Sequence, residues 1–181
     1  HLDEGILVGA GLAILLYLFR TMKPRVAILG RCKDGTLRDL KVHPDLPTSP
    51  HINAIRFDGS LYFANVSYFE DNILEAVAAK PDAKWLLVVG DGINQLDASG
   101  EEVVHHLVAR LRDRGTQIVF SGLKKQILDV MRRTGLFDLI GVDNIFATEG
   151  QAIAAIHQRL GVDAEDDPFR AMALAGQTGR S

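Results

Sequence analysis

Continuous apolar runs and stretches of helical periodicity alternate along this chain. Residues 85–89 are apolar at every position, which predicts a strand buried on both faces of a sheet. The Gly59-Ser60 turn predicts that residues 51–58 and 61–63 form a hairpin or a bent strand. The predicted strands are residues 25–30, 51–58, 61–63, 85–89, 116–121 and the short piece 144–146.

Four stretches carry apolar residues at helical spacing. The clearest stripe is Val104, Leu107, Val108 and Leu111, which follows an i, i+3, i+4, i+7 pattern. The other predicted helices begin after Asn65, pass through residues 127–131 and pass through residues 153–160. This order predicts an α/β fold with about 4–6 strands, mainly parallel crossovers and about 4–5 helices, most of them on one face of the sheet.

The N-terminal stretch differs from the rest because residues 5–19 are apolar without interruption. A signal-peptide core is disfavoured, since no basic region precedes the stretch and no small-residue cleavage site follows it. A buried helix of a soluble domain would need a polar face, which is missing. A short or truncated transmembrane helix is favoured, because Gly5 and Gly9 allow close helix packing and Arg20, Lys23 and Arg25 flank the far end.

These patterns divide the chain into three parts. Residues 1–23 are the end of a transmembrane helix with its basic flank, and residues 24–160 are one α/β domain. Inside that domain, residues 31–50 form a long loop containing three prolines, with an extended piece around 40–42. Residues 161–181 are predicted to be a flexible acidic tail.

Composition excludes several functions. A net charge of −3 gives no basic footprint for nucleic acid, and the single Cys32 excludes an internal disulfide. The six histidines have no metal-ligand spacing and are expected at the surface, so no metal site is predicted. The sequence has no G-x-S-x-G motif and no Ser/His/Asp constellation, so we expect no enzyme.

The most informative polar residues follow the central strand. Asp97 and Ser99 stand where a parallel strand leads into a helix N-terminus, an edge where α/β proteins commonly bind ligands. Ser99 with Glu102 fits a capping box, and Asp97 is an alternative N-cap. Asp91, Gly92 and Gly100 are a weak candidate edge for a nucleotide, but no phosphate-binding loop motif accompanies them, so no cofactor is predicted.

One stretch resembles a known family. Residues 56–65, with Asp58, Leu61, Tyr62, Phe63, Ala64 and Asn65, resemble the start of the STAS domain in SulP-type anion transporters. Residues 23–31 are similar to that family's junction between the last membrane helix and the cytoplasmic domain. Residues 95–100 resemble the signature that STAS domains share with bacterial anti-sigma-factor antagonists. Residues 134–137 and 145–148 match later landmarks.

The resemblance implies a regulatory and structural role in a secondary-active transporter of sulfate, bicarbonate, chloride or related anions. Expected partners are the membrane domain of the same transporter, a second copy within the full-length protein, a regulatory protein and the membrane itself through residues 5–19; nucleic acid is not expected. Residues 24–181 should lie on the cytoplasmic side of the inner or plasma membrane. The antagonists make Ser99 a candidate phosphoacceptor, and a soluble phosphoswitch protein is the alternative function.

Overall fold

The computed structural model describes residues 1–32, 34, 36–161 and 166–170. It begins with a 21-residue helix, α1 (Leu2–Met22), which has no buried residue. Pro24 follows this helix, and the chain then enters the sheet. Among the described residues, α1 is the one helix long and apolar enough to cross a membrane. The absence of any buried residue in α1 argues against the buried-helix interpretation, because an apolar core helix would be covered by the domain.

Six strands form a single sheet in the order β2-β1-β3-β4-β5-β6. Strands β3 to β6 are parallel to one another, and β1 pairs antiparallel with both β2 and β3. The predicted fold class is therefore confirmed. The strands are β1 (Arg25–Arg31), β2 (Leu37–Asp39), β3 (Ile52–Asp58), β4 (Trp85–Val89), β5 (Gln117–Ser121) and β6 (Ile145–Phe146).

The helices cover the two faces of the sheet unequally. One core cluster joins the sheet to the first four domain helices, and a second joins its other face to the last helix. This distribution follows from the apolar stripes, since each helix buries the side that carries them. The domain helices are α2 (Val66–Ala79), α3 (Ala98–Asp113), α4 (Lys125–Thr134), α5 (Leu136–Ile140) and α6 (Glu149–Leu160), and a 3-10 turn spans Val142–Asn144.

Two predicted strands are placed differently in the structure. Residues 61–63 are not the second strand of a hairpin, because Leu61 forms only an isolated parallel bridge with Leu96. The extended piece expected at 40–42 lies earlier, at β2, and Leu40 begins a turn held by hydrogen bonds to the Asp39 carbonyl. At Leu61 a contact distant in sequence overrides the local pattern, whereas at Leu40 a local turn ends the strand.

The C-terminal segment 166–170 also differs from its prediction. Phe169 is 1% exposed and belongs to the second core cluster, so this part of the expected acidic tail is packed against the domain. The rest of the predicted tail, residues 162–165 and 171–181, lies outside the described residues. Asp167 is buried, and its Oδ2 lies 3.2 Å from His157 Nε2 and accepts a hydrogen bond from Ser49. The prediction that every histidine is at the surface is therefore wrong for His157.

Candidate functional site at the carboxyl edge of the sheet

Two loops run side by side at the carboxyl ends of β3 and β4. Gly59 donates a backbone hydrogen bond to Gly92 (3.0 Å), and Leu61 donates one to Gln95 (2.8 Å). Asp97 then donates its backbone N–H back to the Leu61 carbonyl at 3.1 Å. The motif loop, which we define as residues 59–65, is thereby fixed against the loop that leads into α3.

Asp97 is the N-cap of α3. Its Oδ1 accepts the Gly100 N–H at 2.8 Å, and its Oδ2 accepts the Phe63 N–H at 3.2 Å. Ser99 is the second residue of the helix and not its cap, so the capping box built on Ser99 and Glu102 is wrong. The alternative, Asp97 as N-cap, is confirmed. The side chain of Ser99 is half-buried beside the positive end of the helix dipole.

The glycines of the predicted nucleotide edge serve close packing between protein segments. A Cβ on Gly100 would lie 2.6 Å from the Leu61 carbonyl oxygen, and one on Gly92 would lie 2.8 Å from the Asp58 Cα. In a phosphate-binding loop, the same backbone freedom is used to let a ligand approach. Here the space beside both glycines is occupied by the β3 end and the motif loop.

The remaining polar residues of this edge make contacts with one another. The Asp58 carboxylate accepts a hydrogen bond from Arg56 Nε at 2.8 Å. Asp91 packs against Gly122, whose φ of +69° suits glycine. Burial raises the pKa of Glu149, a backbone hydrogen bond from Leu37 opposes that rise, and the negative charge of Asp91 adds to it. In the part of the chain that the structure describes, no group of three metal-ligating side chains is found here or elsewhere.

The motif loop also holds the end of α1. The Tyr62 hydroxyl donates a hydrogen bond to Thr21 Oγ1, and Asn65 Nδ2 donates to the Thr21 carbonyl at 3.4 Å. Pro24 packs against Gly59 so closely that a Cβ there would lie 2.8 Å from the Pro24 Cβ. We call this set of contacts the joint. Sequence reasoning missed Thr21, whose only signal is a hydroxyl at the polar end of an apolar helix.

Asn65 occupies the N-cap position of α2, but its side chain is engaged by the motif loop instead. It precedes α2 in sequence, yet its side chain makes no capping hydrogen bond to that helix. Its Oδ1 accepts the Tyr62 N–H at 3.1 Å, and its Nδ2 donates to the Ser60 carbonyl. The buried amide therefore shapes the motif loop. Leu61 is buried in the first core cluster, Ala64 is half-buried and Phe63 is exposed.

A cavity of about 400 Å³ lies between α1 and the motif loop. The α1 side contributes an aromatic and an aliphatic side chain, and the domain side contributes mainly polar ones. The lining residues are Tyr17, Leu18, Thr21, Gly59, Ser60, Tyr62, Phe63, Asn65, Gln95 and Asp97. The capping carboxylate of α3 thus lies on the same cavity as the last turns of α1.

Curated relatives and solved structures agree with this architecture. A probable sulfate transporter 4.2 of Arabidopsis thaliana is 28% identical over 163 residues, covering 84% of this chain and 24% of the relative. A probable sulfate transporter of Mycobacterium tuberculosis is 27% identical, covering 86% of this chain and 28% of the relative. The chain spans about a quarter of the length of the curated relatives it matches.

Solved structures show the same fold. A murine Solute Carrier 26 family anion transporter in the inward-facing state gives a TM-score of 0.74 at 19% identity, covering 87% of this chain and 26% of that one. The STAS domain of a SulP transporter from Vibrio cholerae gives 0.52 at 17% identity, covering 67% of this chain and 92% of that one. The family described as the STAS domain matches residues 43–152, more than half of the sequence. The chain therefore belongs to the STAS domain family, and it is similar to the STAS domains of SulP-type transporters.

Proposed function

We propose that this chain is the regulatory and structural STAS domain of a secondary-active transporter of inorganic anions such as sulfate, bicarbonate or chloride. In this proposal α1 is the end of the last transmembrane helix. The observation that carries it is the joint: an apolar helix, exposed along its length, is hydrogen-bonded at its C-terminal end to the motif loop of a STAS fold. The relatives named as sulfate transporters support the same assignment.

The partners follow from this assignment. The main partner is the membrane domain of the same transporter, which would carry the transport pathway, and the STAS domain would assist it without catalysing a reaction. A homodimer formed by the full-length protein and a separate regulatory protein are further proposed partners. No nucleic-acid partner is proposed, since the net charge of −3 provides no basic surface.

We place residues 24–181 on the cytoplasmic side of the inner or plasma membrane. Arg20, Lys23 and Arg25 flank the C-terminal end of α1, and positive charge next to a membrane helix favours the cytoplasmic side. Across the membrane, the opposite end of α1 carries Asp3 and Glu4 in its first turn.

Sidedness can be measured with cysteine labelling because the chain has a single cysteine. In a Cys32→Ser background expressed in bacteria, Ala78→Cys places a thiol at an exposed position near the end of α2. Leu2→Cys places one at the exposed start of α1. A membrane-impermeant maleimide should label residue 2 in spheroplasts and residue 78 only after the cells are opened. Recovery of the chain in the soluble fraction, or the reverse labelling pattern, would refute the proposal.

Ser99 is our proposed phosphoacceptor for regulation. Its side chain is not the helix cap, so a phosphate there would leave the Asp97 cap in place and face the helix N-terminus. Peptide mass spectrometry of the chain isolated from its native cells tests this idea, with Ser99→Ala as the control. An absence of phosphate on Ser99 under every growth condition tested, including anion starvation, would remove it.

A soluble phosphoswitch protein is the second candidate function. It rests on the fold of the unphosphorylated anti-sigma factor antagonist SpoIIAA, which gives a TM-score of 0.50 at 18% identity. The transporter assignment accounts for α1 and the joint, which a soluble switch would not need. Nucleotide binding at Asp91, Gly92 and Gly100 stays a prediction, and equilibrium dialysis of the chain against labelled ATP would test it.

A further inference from the structure

Phe63 is the unusual member of the motif loop because its ring is 72% exposed. It lies between Tyr62 and Ala64, and its backbone N–H is held by Asp97 Oδ2. Its ring meets the Tyr62 ring edge to face, with 5.4 Å between the ring centroids. The backbone of Phe63 is thus fixed while most of its side chain faces outward.

The joint determines where this exposed ring lies. Tyr62 is hydrogen-bonded to Thr21, and Phe63 lines the same cavity as Tyr17 and Leu18 of α1. Tyr17 lies four residues before Thr21, so it is about 6 Å deeper along the helix axis. Phe63 therefore faces the last apolar turn of the proposed membrane helix and is directed away from the domain core.

Chemistry around the ring matches the boundary of a bilayer. Tyr17 and Phe19 are exposed aromatic residues near the C-terminal end of α1, and tyrosine is typical of membrane interfaces. Arg20 and Lys23 follow within one turn, where they would meet anionic headgroups. Arg25 is paired with Asp39 at 3.2 Å, and the Asp97 carboxylate on the cavity is engaged by two backbone N–H groups.

We propose that the Phe63 ring inserts into the headgroup region of the cytoplasmic leaflet, so that the lipid surface itself is the partner of this face of the domain. The inference rests on the proposed function, because it requires α1 to cross the membrane. Phe63 then acts as a second anchor beside α1. Together the two anchors restrict the orientation of the STAS domain relative to the bilayer.

Tryptophan fluorescence in vesicles tests the proposal with the whole chain. Trp85 is the only native tryptophan, so the variants are built on Trp85→Phe, whose folding is checked by circular dichroism. Phe63→Trp reports on the proposed anchor, and Phe19→Trp reports on insertion of α1. Ala78→Trp is the matched control, since this exposed residue near the end of α2 lies at the opposite edge of the sheet. If Trp85→Phe disturbs folding, native Trp85 is kept and its emission is subtracted.

Each variant is placed in phosphatidylcholine–phosphatidylglycerol vesicles with and without lipids brominated near the headgroup. We expect fluorescence loss and a blue shift for Phe63→Trp, and neither for Ala78→Trp. No quenching of Phe63→Trp beyond the control, while Phe19→Trp is quenched, overturns the inference and leaves the proposed function intact. No quenching of Phe19→Trp overturns the proposed function itself. The emission of Phe63→Trp could instead shift to the blue without quenching by brominated lipid, with a shift that grows with the protein-to-lipid ratio. That result would assign the ring to a contact with a second copy of the chain, and it would also overturn the inference.

Discussion

Replacing Phe169 with alanine tests whether the segment 166–170 is a packed part of the domain. The Phe169 ring is 1% exposed and lies in the cluster formed by α6 and one face of the sheet. Its backbone N–H is also held by Asp167 Oδ1 at 2.8 Å. Truncating a fully buried phenylalanine removes its transfer free energy and leaves a cavity, so we expect a loss of about 3–5 kcal/mol in the free energy of unfolding.

That magnitude has an upper limit set by the position of the segment in the chain. If residues 166–170 detach before the sheet unfolds, the loss cannot exceed the free energy with which the segment is docked. A loss of several kcal/mol would be a large fraction of the stability of a domain this size, and would lower the melting temperature by about 10 °C. Detachment alone would give a smaller shift but would free the backbone at Arg170, whose side chain is already exposed, for cleavage by trypsin.

The assay uses Trp85, which packs against the same cluster as Phe169. Chemical unfolding of the chain in detergent micelles is followed by Trp85 fluorescence, and brief trypsin treatment measures cleavage at Arg170. Val142→Ala is the control, because it truncates an apolar side chain that is 66% exposed and lies away from α1, and it should cost no more than about 0.5 kcal/mol. If Phe169→Ala behaves like Val142→Ala in both assays, the segment is not docked and the reasoning is refuted.

Three further predictions concern the site and the buried pair. Asp97→Ala should cost about 1–2 kcal/mol by thermal unfolding because two backbone N–H groups lose their acceptor, whereas Ser99→Ala should change stability by less than about 0.5 kcal/mol; equal losses would contradict the assignment of Asp97 as the cap. Gly100→Ala should lower the free energy of unfolding by about 1–3 kcal/mol, because the new Cβ would lie 2.6 Å from the Leu61 carbonyl oxygen. An unchanged melting curve would refute this close packing. Burial would raise the pKa of Asp167, but the nearby His157 side chain and hydrogen bonds from Ser49 and Phe169 hold that pKa below its ordinary value. The charged form of Asp167 therefore stabilises the fold above about pH 4, and this contribution is lost as the pH falls further. The difference in unfolding free energy between the wild type and Asp167→Asn should thus become smaller in acid. A difference that does not change with pH would contradict this account.

The central elements were predictable because their patterns leave few alternatives. An apolar run such as residues 85–89 can be buried only between two covered faces, and the stripe from Val104 to Leu111 suits only one side of a helix. In both cases the local pattern and the tertiary environment agree. The fold class and the position of the candidate edge followed from these elements.

The predictions that failed depended on contacts between residues far apart in sequence. Asp167 is an acidic residue in an acidic stretch, and only its proximity to His157 and Ser49 makes it a buried partner. Phe169, a single aromatic residue in that stretch, shows no periodicity. Composition favoured a solvated tail there. It could not indicate the buried partners, because these lie 10 or more positions away, and Ser49 and Asp167 are 118 residues apart.

The choice between Asp97 and Ser99 shows the same limit at the site. Both residues fit an N-cap pattern, so sequence alone could not separate them. The motif loop decides between them, because the Asp97 N–H bonds to the Leu61 carbonyl and fixes Asp97 just outside the helix. Ser99 is then placed inside the first turn, where its hydroxyl is not needed for capping.

Asp97 connects the N-terminus of α3 to the motif loop, and through that loop to the end of α1, by a short series of hydrogen bonds. One carboxylate oxygen holds the start of α3, and the other holds the backbone of Phe63. The neighbouring Tyr62 holds Thr21 at the end of α1. A phosphate on Ser99, two residues from Asp97, would add negative charge beside this carboxylate. Under the proposed function, a regulatory charge at the α3 N-terminus would therefore act on the motif loop that holds the end of α1.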